Sequence, residues 1–136
     1  MAHILVIDDD DSVRLLVRTL LLLDGHHFTG ASGGGEGLRL FSAQPDGFDL
    51  VITDLSMPDI HGQQVVATLL DEKPDLTILV FSGSGFDSDW DKGLKGIQSR
   101  FPTVNVMTKP FTAKEFRQVL SQILSSRSSS DEATAS

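Results

Sequence analysis

The stretch Val51-Ile52-Thr53-Asp54-Leu55-Ser56-Met57-Pro58-Asp59-Ile60-His61-Gly62 decides how the rest of the chain is read. Leu50 to Thr53 is a short apolar run rich in β-branched residues, the pattern of a buried strand. Asp54 is the first charge after that run, so its carboxylate is expected at the strand's carboxyl end. Pro58 and Gly62 punctuate a loop before the next helical pattern. In open α/β sheets, ligands gather at the carboxyl ends of the strands, and chemistry is expected here. Many a lone Asp after a strand only caps the next helix. This one gains weight from polar groups at the ends of the other strands.

Working outward, Ile4-Leu5-Val6-Ile7 reads as a strand buried on both faces and is ended by Asp8 to Asp11. Capping oxygens and negative charge at Asp10 to Ser12 predict a helix from Ser12 to Asp24, stopped by Gly25. His27 to Ala31 is a weaker strand, interrupted by Thr29 and Gly30. Gly33-Gly34-Gly35 reads as a flexible lead into a helix over Glu36–Ala43, made marginal by Gly37 and closed by Pro45. A third helix is expected over Gln63–Asp71 and a fourth strand over Thr77–Phe81. From Phe86 to Arg100, Trp90, Leu94 and Ile97 fall at helical spacing, with Gly93 and Gly96 against it. Val104 to Met107 is a fifth strand. The last helix opens on a Thr112-x-x-Glu115 capping box and carries Phe116, Val119, Leu120, Ile123 and Leu124 on one face. Residues 125–136 are Ser-rich and polar, and are expected to be a disordered tail behind a single domain over residues 1–124. Strand–helix alternation five times over predicts an α/β fold with a five-stranded parallel sheet, doubly wound by five helices through right-handed crossovers.

At 136 residues, the chain is long enough for one domain with a proper core. A net charge of −8 argues against nucleic-acid and anionic-membrane partners, whose phosphates repel such a surface. With no cysteine, disulfides, thiolate metal sites and cysteine catalysis are excluded. The longest apolar tract, Val13 to Leu23, is too short to span a bilayer and carries Arg14 and Arg18. Met1-Ala2-His3 runs directly into strand, and a cytoplasmic location without a signal segment is expected.

Polar groups at four strand ends fall on the same predicted sheet edge: Asp8 and Asp9, Asp54, Ser82, and Lys109. Carboxylates brought together repel, so either some take up protons or a cation sits among them. Hard oxygen ligands in an incomplete shell suit Mg²⁺, which keeps several waters and accepts phosphate oxygens. The Lys109 ammonium and the Ser82 hydroxyl both suit phosphoryl oxygens. Phosphoryl transfer needs an in-line nucleophile and neutralising charge, and Asp54 can be that nucleophile. Each residue has an ordinary reading: a solvated acidic helix start, a surface lysine, a turn serine. Their joint placement favours function. His26 and His27 at a strand start and His61 in a loop show no zinc spacing, and Gly33-Gly34-Gly35 lacks the Lys-Ser/Thr of a phosphate loop.

Ile4-Leu5-Val6-Ile7-Asp8-Asp9-Asp10, the Asp54 to Gly62 loop with its Met57-Pro58, Ser82, and Lys109-Pro110-Phe111 together resemble a response-regulator receiver domain of the CheY-like kind. The resemblance covers Ile4 to Leu124. It implies a flavodoxin-like strand order, 2-1-3-4-5. It also implies that Asp54 accepts phosphate from a phosphohistidine on a histidine kinase or histidine phosphotransfer protein. Asp9, Asp54 and the backbone carbonyl of Ser56 would hold Mg²⁺, with Asp8 acting through water. Lys109 would hold one phosphoryl oxygen, and Ser82 would swing onto another, switching the surface around residues 82–111. Catalysis would extend only to the protein's own phosphorylation and dephosphorylation.

Two departures stand out. The family often carries Tyr or Phe three residues before the Lys, and here that position is Val106. The segment between Ser82 and Lys109 is also several residues longer than usual. A stand-alone receiver, monomeric rather than dimeric, is expected. The competing readings are a degenerate receiver that docks partners without phosphorylation, and a haloacid-dehalogenase-type phosphatase with Asp8-x-Asp10 as its nucleophile pair. Flavodoxin-like electron transfer ranks last, since no Ser/Thr-rich phosphate loop follows the first strand.

Overall fold

The computed structural model describes residues 2–55, 59–60, 62–82 and 103–135, the last ten as backbone. Five strands, β1 (His3–Ile7), β2 (His27–Ala31), β3 (Leu50–Asp54), β4 (Ile78–Ser82) and β5 (Val104–Thr108), form one sheet in the order β2-β1-β3-β4-β5. Every neighbouring pair is parallel. Four helices belong to the described residues: α1 (Asp11–Leu23), α2 (Gly34–Ala43), α3 (Gly62–Glu72) and α4 (Ala113–Ala135). The ambiguous helical pattern between Phe86 and Arg100, with Trp90, lies outside the described residues.

The period-2 alternation of each strand explains the double winding. Leu5, Ile7, Val51, Ile78 and Val80 face one way and pack with Phe41, Val65, Val66 and Leu69 of α2 and α3. Ile4, Val6, Leu50, Ile52, Leu79 and Phe81 face the other way, against Val17, Leu20 and Leu21 of α1 and Phe116, Leu120 and Ile123 of α4. Nearly all of these side chains are fully buried, and at roughly 25 cal/mol per Å² of apolar surface the two layers dominate the fold's stability. Gly37, expected to weaken α2, is needed there. A Cβ on it would come within 2.4 Å of Ile7 Cδ1, so the helix lies tight against β1.

Local chemistry accounts for the helix ends. Asp10 caps α1, its Oδ1 accepting from Ser12 N–H at 2.8 Å and Val13 N–H at 3.3 Å. At the other end, Gly25 (φ 82°) lets its own N–H reach the Leu22 carbonyl and that of His26 reach Leu21, the paired bonds of a Schellman stop. The Thr112–Glu115 capping box forms reciprocally, with both bonds at 3.1 Å. Two boundaries differ from expectation. First, α2 starts at Gly34 rather than Glu36, because an acceptor from another part of the chain satisfies its first N–H groups. Second, the helical backbone of α4 runs to Ala135, through most of the stretch expected to be disordered. Serine is only a middling helix former but does not break a helix already nucleated and packed upstream. Among the residues of α4 whose side chains are described, Phe116, Leu120 and Ile123 face the core, with Val119 and Leu124 packed against it.

Candidate functional site

The strand order reverses between β1 and β3: the chain first moves outward to β2, then returns past β1 to build β3, β4 and β5. At such a switch point the flanking crossovers leave in opposite directions and open a crevice at the strands' carboxyl ends. Asp8 follows β1 directly, and Asp54 is the last residue of β3. Asp8 is fully buried and Asp54 is 5% exposed, while Asp9 is exposed. One carboxylate oxygen from each of the three lies within 4.8 Å of the others.

Lys109, just beyond β5, reaches this cluster from across the sheet. Its Nζ donates to Asp8 Oδ2 at 2.9 Å and lies 3.5 Å from Asp54 Oδ2. The backbone holds it there, with Lys109 N–H on the Ser82 carbonyl at 2.8 Å, and the Lys109–Pro110 peptide is cis. Burial disfavours the ammonium, but the Asp8 hydrogen bond and the Asp54 and Asp8 charges outweigh it and raise its pKa. Lys109 is a cation at every physiological pH. Below it lies the Phe81 ring, 5.8 Å from Nζ to the centroid, with the Phe111 ring tilted against it at 4.8 Å between centroids. Ser82 is half-buried at the end of β4, in register with Thr108.

The structure thus brings together Asp8, Asp9, Asp54 and Lys109, which one strand end after another had suggested, and puts Ser82 on the same edge. Ser56 and His61 lie outside the described residues. His26 and His27 sit at the opposite edge, at the start of β2, as expected. Val106 is half-buried and packs with the α2–α3 core layer.

Three contacts had no reading in the sequence. Asp8 Oδ1 accepts the Asp10 N–H at 2.9 Å, so the buried carboxylate is held on both oxygens. Arg14 Nη1 donates to the Asp8 backbone carbonyl at 2.8 Å, bracing the acidic turn from α1. Asp59 accepts from the N–H groups of Gly34 at 3.2 Å and Gly35 at 2.9 Å. One signal for the last was available: a helix opening on three glycines supplies no capping side chain, so it needs an acceptor from outside. Gly62 has a reason as well. A Cβ there would stand 2.4 Å from Leu55 Cα and 2.7 Å from the Asp54 carbonyl oxygen. Only glycine lets α3 begin against the end of β3.

A trio of oxygen donors beside one fixed cation suits a hard divalent ion and a phosphoryl group, both of which need neutralising charge in a small space. Known proteins resemble this chain in sequence and in fold. Transcriptional regulatory protein GlrR of Escherichia coli strain K12 is 32% identical over 84 residues, covering 62% of this chain but only 18% of that protein. The chain thus spans less than a fifth of that relative. A response regulator receiver domain protein from Clostridium thermocellum has a TM-score of 0.80 at 27% identity, over 94% of this chain and 98% of that one. TrrA of Thermotoga maritima, a response regulator solved in complex with Mg²⁺–BeF, has a TM-score of 0.74 at 27% identity, over 90% and 99%. The family model described as the response regulator receiver domain matches residues 4–121. On that match and the fold that carries it, the chain belongs to the response-regulator receiver domains of two-component signalling.

Proposed function

We propose that this chain is a phosphoaccepting receiver in which Asp54 takes a phosphoryl group from a phosphohistidine on a histidine kinase or histidine phosphotransfer protein. The observation that carries the proposal is the carboxylate trio within 4.8 Å, with Lys109 Nζ at 2.9 and 3.5 Å from two of its members. In the step, an Asp54 carboxylate oxygen attacks phosphorus and the phosphorus–nitrogen bond breaks. The imidazole leaves with the electron pair and picks up a proton, and an acyl phosphate remains on Asp54. Asp9, Asp54 and the Ser56 carbonyl would hold Mg²⁺, with Asp8 acting through water. Bound there, the ion would neutralise charge on the transferring group. The donor set fits it, being all oxygen and short of a full shell. The Mg²⁺–BeF complex of the Thermotoga relative supports the same ion. Lys109 meets the phosphoryl oxygens from the β5 side, and Ser82 swings onto another, switching the surface around residues 82–111.

The phosphatase reading would need Asp8 to attack. Asp8 is fully buried, with one oxygen committed to Lys109 and the other to Asp10 N–H, so it is poorly placed for that role. We assign the receiver to residues 1–124 and place the protein in the cytoplasm as a monomer. No helix among the described residues is long and apolar enough to cross a membrane. The test is intact mass after incubation with acetyl phosphate, with and without Mg²⁺, for wild type and Asp54→Asn. A Mg²⁺-dependent gain of one phosphoryl group, lost in Asp54→Asn, is expected. Label that persists on another residue in the variant overturns the assignment.

A further inference from the structure

We infer that Asp59 is a positioning residue for phosphoryl transfer at Asp54, its carboxylate clasping the loop after β3 to the first turn of α2. This rests on the phosphoacceptor reading above and adds a residue to it. The neck of the loop is closed, since Leu55 N–H bonds the Phe81 carbonyl at 3.1 Å and Gly62 N–H bonds the Leu55 carbonyl at 3.0 Å. Leu55 and Gly62, the two ends of the loop after β3, are thereby held together. Asp59, between those ends, is bonded to a second element, with Oδ1 on Gly34 N–H at 3.2 Å and Oδ2 on Gly35 N–H at 2.9 Å.

Both partners fit this contact. The N-cap position of α2, Gly33, offers no side-chain acceptor, so Asp59 stands in for the missing cap. A carboxylate is also the group the positive end of a helix favours. Gly33 makes the room: a Cβ there would lie 3.0 Å from Asp59 Oδ2, whereas one on Gly35 would lie 3.5 Å away, in ordinary contact. Gly33 has φ −166°, ordinary extended backbone, so it is space and not conformation that calls for glycine. The Gly35 N–H, and after it the Gly34 N–H, hold the Asp59 carboxyl below its ordinary range against the pull of desolvation.

The consequence reaches the chemistry through the chain. Ser56, whose carbonyl is expected on the metal, lies between the held Leu55 and the held Asp59. A loop restrained in this way loses less freedom when the ion and the phosphoryl group bind, and that preorganisation appears as affinity. Releasing Asp59 should therefore weaken Mg²⁺ binding while leaving the rate at saturating Mg²⁺ nearly intact.

The experiment uses the full chain as wild type, Asp59→Ala, Asp59→Asn, Gly33→Ala and the Asp59→Ala/Gly33→Ala pair. Mg²⁺ affinity is read by calorimetry and Asp54 phosphorylation by intact mass with acetyl phosphate across a Mg²⁺ series; Tm is recorded for each variant. Asp59→Ala is expected to raise the Mg²⁺ requirement about fivefold, the size of a lost helix cap. Asp59→Asn, which keeps one acceptor oxygen, should fall between it and wild type. Gly33→Ala should shift the requirement the same way, with no further loss in the pair. Wild-type Mg²⁺ dependence in Asp59→Ala and Asp59→Asn, with only Tm lowered, would overturn the inference and leave Asp59 as a helix cap. A wild-type protein that neither binds Mg²⁺ nor gains phosphate would overturn the phosphoacceptor reading and this inference together.

Discussion

Replacing Lys109 by Met keeps the length of the side chain and removes its charge, which isolates what the ammonium does for the folded state. Its Nζ lies 2.9 Å from Asp8 Oδ2 and 3.5 Å from Asp54 Oδ2. At an effective dielectric of about 20, those separations correspond to about 6 and about 5 kcal/mol of Coulomb attraction. Desolvation of the three groups cancels much of that. What survives on truncation is the cost of leaving a buried carboxylate without its partner, about 3–5 kcal/mol. Asp8 is fully buried, but the Lys109 side chain keeps 22% exposure, so water can partly replace it. The lower end, about 3 kcal/mol, is the expected loss. That is a large share of a total stability of about 5–15 kcal/mol. It is measured by urea denaturation of wild type and Lys109→Met in EDTA, where an m-value of about 1.5 kcal/mol/M turns the loss into a midpoint shift of about 2 M. The pH dependence follows in sign. The folded pKa of Lys109 is raised, so its contribution is fully present below the unfolded value of about 10.4 and is lost as pH rises through the folded one. The gap between the two proteins should stay constant from pH 7 to about 9.5 and narrow in more alkaline solution. Adding Mg²⁺ should stabilise Lys109→Met more than wild type, because the ion restores the missing positive charge. A gap below about 0.5 kcal/mol at pH 7, within the range of ordinary surface substitutions, would refute the assignment of Lys109 as the counter-charge of this site.

Gly62→Ala should cost about 3 kcal/mol or more by the same denaturation assay, since its Cβ would meet Leu55 Cα and the Asp54 carbonyl, backbone atoms that cannot turn aside; a variant as stable as wild type would contradict the close approach. Arg117→Ala should lower Tm slightly at pH 7 in low salt by breaking the α4–α1 bridge, in which Arg117 Nη2 lies 2.6 Å from Asp24 Oδ1. The Arg117 hydrogen bond, and after it the guanidinium charge, hold the Asp24 pKa down against desolvation. The bridge's contribution is therefore present above the unfolded carboxylate value and disappears as pH falls through the lowered one; an undiminished Tm difference in strong acid or in 1 M salt would rule it out.

The interior strands and the site were legible in the sequence for different reasons. A strand buried on both faces must be continuously apolar, so Ile4–Ile7, Leu50–Thr53 and Thr77–Phe81 announced themselves to within a residue at either end. Asp8, Asp54 and Lys109 stood out because a charge directly after such a run has nowhere to go but the sheet's carboxyl edge. The start of α2 could not be read locally, because the groups that satisfy Gly34 and Gly35 belong to Asp59, more than twenty residues later in the chain. Gly37 and Gly62 looked like a weak helix residue and a loop signal. Their reason is a neighbour's atoms, Ile7 in one case and Leu55 in the other. The strand order came from the likeness to a known family, since hydrophobic periodicity carries no information about which strand lies beside which.

By itself, then, the sequence determined the alternation of strand and helix, the faces that are buried and the edge where the charges collect. These depend on residue type at a spacing of two or of three to four positions, which any short window of chain contains. Only the tertiary structure decided that Lys109 closes on Asp8, one hundred and one residues away, and that Phe81 lies beneath it. It alone decided that Asp59 bonds to the first turn of α2. Those contacts exist because the doubly wound sheet folds its strand ends onto one another across the switch point, and no local pattern encodes a distance between residues that meet only once the chain has closed.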